Sequence, residues 1–289
     1  MKKRIALLAL AALALVTLAG CRMETEGQTG PAVNPAVPET SDFPDASQPA
    51  GTDDIPDDFP FMGPVTARVK LMSKPNEWGG FLVTDWEGTE YPVGLCSASV
   101  KDEQITGTDG ETITVDELRP GMILDVTWSG IRADTDPGSF TADEIRVVEQ
   151  GDDLVGMYCE ILTELWTETG QKTGVERLGL DFSGLTDLSA AEQQALAYLT
   201  ACKLEMFSCY ASGTWDELVN DNHITMDENG YWTNGMMLSL SIYDQEDGHA
   251  GIIASSSRSG DGAILVLTCM ADRQEDGSWS YQTFSPSGT

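Results

Sequence analysis

The side chains in this chain with reactive chemistry are six cysteines, two histidines and 47 acidic residues. A histidine-dependent acid–base site would have to use His223, in the loop Asn220-Asp221-Asn222-His223, or His249, in the hairpin Gly248-His249-Ala250. Both lie in turn-rich polar stretches, so solvent-exposed turn residues are the preferred reading. After Cys21 come Cys96, Cys159, Cys202, Cys209 and Cys269; five is odd, so at least one thiol stays unpaired, and no pair has the C-x-x-C spacing of a zinc or redox site. Each sits among apolar neighbours and reads as a small buried hydrophobe. The Asp-rich turns Asp134-Thr135-Asp136-Pro137-Gly138 and Asp227-Glu228-Asn229-Gly230 offer oxygens suited to Ca²⁺, but lack EF-hand spacing and its terminal glutamate, and ordinary Asx turns account for them. No nucleophile elbow, Walker loop, dinucleotide fingerprint or H-E-x-x-H helix occurs in the sequence. Carboxylates for glycoside hydrolysis abound, yet no spacing singles out a pair. No catalytic residue, metal site or cofactor is therefore assigned.

Arg258 is the charged residue that stands out. Residues 151–289 carry five basic residues against 22 acidic ones, and Arg258 falls between two strand-like runs, followed by Ser259 and Gly260. A planar guanidinium holds a carboxylate through two parallel hydrogen bonds. Arg258 is thus the candidate binding residue, for an acidic group of a partner. A salt bridge to a neighbouring helix acid is the structural alternative and the preferred one.

The chemistry of Cys21 depends on what precedes it. Lys2, Lys3 and Arg4 make a positive head, and Ile5 to Leu18 is an almost unbroken apolar run, too short for a permanent membrane span but suited to an export signal. Leu18-Ala19-Gly20-Cys21 resembles the bacterial lipobox. That resemblance implies that residues 1–20 are removed and that the mature chain begins with a diacylglyceryl-modified Cys21. Two acyl chains, at roughly 0.8 kcal/mol per buried methylene, would hold it on the extracytoplasmic face of the cell membrane.

Charge limits the partners. Removing residues 1–20 takes the formal charge from 16 − 47 = −31 to 13 − 47 = −34. Nucleic-acid affinity comes from Lys and Arg neutralising phosphates, so nucleic-acid binding is excluded as a function class. The same charge opposes a grip on anionic headgroups, leaving anchorage to the acyl chains at Cys21.

The elements that must position these residues follow in order. Residues 21–63 are rich in Pro, Thr, Ser and acid, and their composition predicts a disordered tether whose stretched reach is on the order of 140 Å and whose relaxed span is roughly 35–40 Å. From Pro64 the texture changes to alternation. Val65, Ala67, Val69 and Leu71 alternate with polar residues; further runs at 80–84, 91–95, 112–115, 122–128 and 144–148, split by Gly and Pro turns, predict a small antiparallel barrel over 64–150. The turn Leu118-Arg119-Pro120-Gly121 feeding Val126-Thr127-Trp128 resembles the OB-like domains of uncharacterised Gram-positive lipoproteins. An OB-like face implies an oligonucleotide or oligosaccharide ligand, and 7 basic against 16 acidic residues over 64–150 oppose the former.

Residues 151–289 predict an α+β domain with helices on one face of an antiparallel sheet. Leu154, Met157, Tyr158, Ile161, Leu162 and Leu165 form a helical stripe behind Asp152 or Asp153 as N-cap. Ser189-Ala190-Ala191-Glu192 caps a helix predicted to run to about Tyr210, with Leu188, Ala191, Ala195, Tyr198, Leu199, Cys202, Met206 and Cys209 buried. Thr214-Trp215-Asp216-Glu217 caps a short third helix. Four strands follow, split by Asp247-Gly248, Gly260-Asp261-Gly262 and Asp276-Gly277. The segment Leu180-Asp181-Phe182-Ser183-Gly184-Leu185-Thr186-Asp187-Leu188-Ser189, with Gly213-Thr214-Trp215-Asp216-Glu217-Leu218 and Arg258-Ser259-Gly260, resembles a domain of unknown function. Clostridial-type surface proteins carry that domain, and it also stands beside membrane metallopeptidase sensor modules.

Two functions compete on this reading. The first is a non-catalytic binding or interaction module, held outward to a cell-wall component, a peptide or another surface protein. The second is a carboxylate-dependent hydrolase acting on cell-wall glycan.

Overall fold

A computed structural model describes residues 63–76 and 79–284. The expected signal 1–20, Cys21 and the expected tether, save Gly63, lie outside the described residues. Those described fall in one compact unit, Phe59–Thr289, and form thirteen strands and three α-helices.

Seven strands form the first sheet: β1 (Val65–Leu71), β2 (Gly80–Asp85), β3 (Cys96–Ser99), β4 (Ile105–Thr106), β5 (Ile123–Trp128), β6 (Gly138–Thr141) and β7 (Glu144–Glu149). Their order is β4-β7-β5-β1-β2-β3-β6. β1 pairs antiparallel with β2 and β5, placing Ala67 opposite Val126 and Val69 opposite Leu124. The period-2 pattern thus buries Ala67, Val69 and Leu71 with Phe81, Val83, Val126 and Ile145. The expected antiparallel barrel is not what forms. β3 pairs parallel with β6 and β4 parallel with β7, and β4 and β6 stand at opposite ends, so the sheet is mixed and unclosed.

Part of the reason lies at Pro92, which has no N–H for a ladder. The run 91–95 is irregular, and the amides of Val93 and Gly94 donate to the Asp85 carboxylate at 2.6 and 3.0 Å instead. Residues Val115–Glu117 form a 3₁₀ turn rather than the end of a strand.

The second sheet holds β8 (Arg177–Gly184), β9 (Tyr210–Ser212), β10 (Gly235–Glu246), β11 (His249–Ser259), β12 (Gly262–Arg273) and β13 (Trp279–Phe284), ordered β13-β12-β11-β10-β8-β9. β10 to β13 pair antiparallel in sequence order, with Gly248 and Gly277 at positive φ in two of the turns. β8, however, runs parallel to both β10 and β9, so this sheet is mixed as well; the described residues are mostly β, with two mixed sheets and three α-helices, and the expected α+β domain on an antiparallel sheet is corrected.

The helices are α1 (Leu154–Glu168), α2 (Ala190–Lys203) and α3 (Trp215–Asn220). Asp153 caps α1 by accepting from the Gly156 amide at 2.9 Å, and Ser189 and Thr214 cap α2 and α3 with Glu192 and Glu217 closing the boxes. α1 buries the expected stripe. Alternation along β10 puts Met236, Leu238 and Leu240 in the core with α1 and α2, and Met237 in a separate cluster with Leu218 of α3. Helices therefore pack on both faces, not one.

α2 ends at Lys203, short of the expected Tyr210. The Met206 amide bonds the Ala201 carbonyl at 2.7 Å and the Glu205 amide that of Cys202 at 3.1 Å, a Schellman end with Glu205 at φ 60° in the glycine position. Its buried residues are Glu192, Ala195, Leu196, Ala197, Thr200 and Ala201, so Cys202 is exposed and the predicted stripe is rotated.

The two sheets share a polar seam. Lys70 of β1 bonds Glu192 of α2 at 2.8 Å and Asp152 at 3.2 Å, while Tyr158 of α1 donates to Asp187 at 2.6 Å. The chain leaves the first sheet after β7 through residues 150–153, which pass against Gly121, whose φ is +90° and where a Cβ would lie 2.4 Å from the Asp152 carbonyl. No helix of the described residues is long and apolar enough to cross a membrane.

Candidate functional site

Arg258 lies near the end of β11, one residue before the chain turns through Gly260-Asp261 into β12. A small hairpin, 226–232, is laid against this end: the Trp232 amide donates to the Arg258 carbonyl at 2.7 Å and Tyr231 bridges Ser259. The hairpin tip is the second Asp-rich turn. The Asp227 carboxylate accepts from the amides of Asn229 and Tyr231 at 2.8 and 3.0 Å, which lowers its pKa, and this is the Asx turn expected there.

Trp232 is fully buried and anchors the hairpin. Its ring meets Trp215 edge-on at 6.4 Å and His223 at 5.6 Å, beside Leu218, Ile224 and Met237. Gly235 makes room for it, since a Cβ there would lie 1.9 Å from the indole. Its Nε1–H has no acceptor among the described residues.

The Arg258 guanidinium lines a hollow of about 560 Å³ together with Gln171, Tyr231, Trp232, Thr233 and Ile264. Its Nη2 donates to the Thr173 carbonyl at 3.2 Å, and its buried Nε has no acceptor. The expected salt bridge to a helix acid does not form: among the described residues no carboxylate stands within 4.0 Å of Arg258, as is also true of Arg132, Arg177 and Arg273, whereas Arg68, Lys70, Arg119, Arg146 and Lys203 have one. Such an arginine can take a carboxylate brought from outside. On the other side of the same turn lies a second hollow, about 520 Å³, lined by Asp181, Thr214, Trp215, Asp216, Met226, Gly230, Gly260 and Asp261.

The histidines have other roles. His223 is half-buried, not exposed; its Nε2 lies 3.2 Å from the Leu178 carbonyl, and burial lowers its pKa. It packs on Trp232. His249 is exposed on β11 and paired with Asp272 of β12. Cys96, Cys159 and Cys269 are buried free thiols as expected, Cys209 is half-buried, and Cys202 is exposed. Among the described residues no group of three or more His, Cys, Asp or Glu is placed to hold a metal ion.

A third depression, about 600 Å³, brings together Lys74, Asp116, Arg119, Asp153, Asp276 and Ser278. Burial pushes the Asp153 carboxyl up to about 6, but its Oδ1 is held by the Gly156 amide as the cap of α1. Asp276 accepts from Ser278 Oγ at 2.6 Å and from the Ser278 amide at 3.1 Å, which lowers its pKa. Each is committed to a local turn or cap.

Cys21 lies outside the described residues. Trp232, Tyr231 and the Asp181–Asp216–Asp261 group went unassigned from the sequence; the run Gly230-Tyr231-Trp232, a glycine turn followed by two aromatics, was their local signal.

No family model matches the chain, and no curated protein matches it. Among solved structures it is similar to an aspartyl tRNA synthetase from Entamoeba histolytica, at 12 % identity over 74 % of this chain and 48 % of that one, with a TM-score of 0.25. The chain thus spans about half the length of that structure, and so slight a likeness says nothing of what this chain does.

Proposed function

We propose that this chain is a lipid-anchored protein of the extracytoplasmic membrane face, held at Cys21, that acts as a non-catalytic binding module for a cell-wall component or another surface protein. The Arg258 hollow is its binding site. One observation carries the reading: a guanidinium without a carboxylate partner, at a hollow walled by Tyr231 and Trp232, in a chain whose acids far outnumber its bases. The hydrolase alternative draws no support from the acids of the third depression, because Asp153 and Asp276 are held as cap and turn.

The test is retention of an envelope partner by the full chain and by Arg258→Gln. Loss of the partner with an unchanged melting temperature is the expected result. Equal retention, or loss accompanied by unfolding, would overturn the assignment of Arg258. For the anchor, a fatty-acid label should mark the wild type and not Cys21→Ala, and a labelled Cys21→Ala would remove Cys21 as the attachment point.

A further inference from the structure

The geometry points to a zwitterionic ligand: a short peptide whose free carboxylate sits on Arg258 and whose free ammonium reaches the acidic hollow across the β11–β12 turn. This rests on the binding-module reading above and adds the chemical class of what is bound.

The two hollows back onto the same two segments. Gly230 lines the acidic one and Tyr231 the arginine one; Gly260 and Asp261 line the first, Ser259 and Gly262 the second. Neighbouring residues are about 3.8 Å apart along the chain, so a ligand of two or three extended residues, at about 3.3–3.6 Å each, is long enough to reach from one side of the turn to the other.

The polar groups on the two sides are complementary in kind. On the arginine side Arg258 gives one bond, to the Thr173 carbonyl, its Nε–H has no acceptor, and no carboxylate of the described residues pairs with it. Unmatched buried donors favour a ligand that brings acceptors. On the other side there are acceptors without cations. Asp181 bonds Ser183, and Asp216 and Asp261 have no hydrogen-bond or ion-pair partner among the described residues.

Charge decides between an anion and a zwitterion. With five basic residues against 22 acidic ones over 151–289, the field at this end of the sheet repels a simple anion before it reaches Arg258. An ammonium on the same ligand cancels that repulsion and meets the carboxylates beyond the turn. Tyr231, 54 % exposed, and Ile264 give the peptide body an apolar wall.

The test is calorimetric titration of the full chain with trialanine, N-acetyl-trialanine and trialanine amide. Free trialanine should bind, each blocked form at least about tenfold more weakly, in line with loss of one charge-assisted contact. Arg258→Gln should abolish binding, and Asp261→Asn should weaken the free peptide while leaving the acetylated one unchanged. If the acetylated peptide binds as tightly as the free one, the ammonium subsite is wrong and the carboxylate reading survives. If the amide binds as tightly, both fall. Absence of binding by all three overturns the peptide class, and the envelope-partner experiment then judges the module reading by itself. Should Arg258→Gln unfold, Arg258→Lys keeps the charge without the planar fork and should still lose most of the affinity.

Discussion

Lys70 of β1 and Glu192 of α2 form a 2.8 Å ion pair with only 5 % and 8 % of their side chains exposed, and it ties the first sheet to the helix layer of the second. Glu192 also accepts from the Ser189 amide at 2.9 Å as part of the α2 cap. Burial pushes its carboxyl up, but Lys70 and the cap outweigh that and the net displacement is down. Lys70→Met leaves the carboxylate buried without a cation and should destabilise by about 3–5 kcal/mol. Adding Glu192→Gln, which removes the charge and keeps an acceptor, should restore most of the loss. Urea unfolding of the single and double variants measures this, and a double variant no better than the single would show that the pair is not the unit.

Asp153 has the opposite pH dependence. Its carboxyl is raised to about 6 by burial, against a reference near 3.9, so the folded state holds its proton over a range where the unfolded chain has lost it. Its contribution to stability is greatest below about pH 4 and falls by on the order of 3 kcal/mol as pH rises through about 6. The lowered Glu192 works the other way, its contribution being lost as pH falls below the usual carboxylate range. Asp153→Asn keeps an acceptor for the Gly156 amide and should be level with wild type at pH 4 but more stable at pH 7. Thermal unfolding across that range gives the answer; an unchanged difference between the two proteins would reject the shift.

Gly235→Ala should displace the Trp232 ring, because the added carbon would stand 1.9 Å from it. A loss of about 1–3 kcal/mol is expected from such overpacking. Near-ultraviolet dichroism should change with it, since the Trp215–Trp232 and His223–Trp232 contacts are broken together. A variant with native dichroism would show that the hairpin absorbs the strain.

Thiol reactivity should follow burial. In Cys21→Ala, Cys202 should react first with an aromatic disulfide reagent, and Cys96, Cys159 and Cys269 only after unfolding, because burial raises all three pKa values, that of Cys269 to about 11. Peptide mapping after brief labelling reads the order, and early modification of Cys96 would contradict it.

Helix starts and hairpin turns were legible in the sequence because their signals are local: the Asp153 cap, the boxes at Ser189 and Thr214, and the Asp-Gly turns at 247–248 and 276–277. Sheet direction was not. Three of the four parallel pairs depend on β4, β6 and β9, of two, four and three residues, which no periodicity can register, and the fourth joins β8 to β10 across residues 185–234. β9 was further hidden because Met206 and Cys209 continue the helical spacing, while a non-glycine residue, Glu205, ends α2. Lys70 shows the same limit from the other side. Alternation places it on the polar face of β1, and only the packing of α2 buries it. At the candidate site, Arg258 could be picked out by its charge alone, whereas Trp232 enters through pairing between residues far apart in the chain.

The parallel placement of β8 beside β10 sets an order of assembly. The run β10 to β13 joins only sequence neighbours through short turns, but β8 reaches β10 across residues 185–234, a much larger closure entropy. We expect the transition state for folding to contain the β10–β11–β12 hairpins while β8 and α2 dock later. Destabilising changes at Ile252 would then slow folding, and those at Leu180 would chiefly speed unfolding, as read from the two arms of a denaturant chevron; the reverse pattern would place β8 in the nucleus. On this order the turn bearing Arg258 is shaped early, and the 226–232 hairpin that walls its hollow arrives with the later-docking part of the chain.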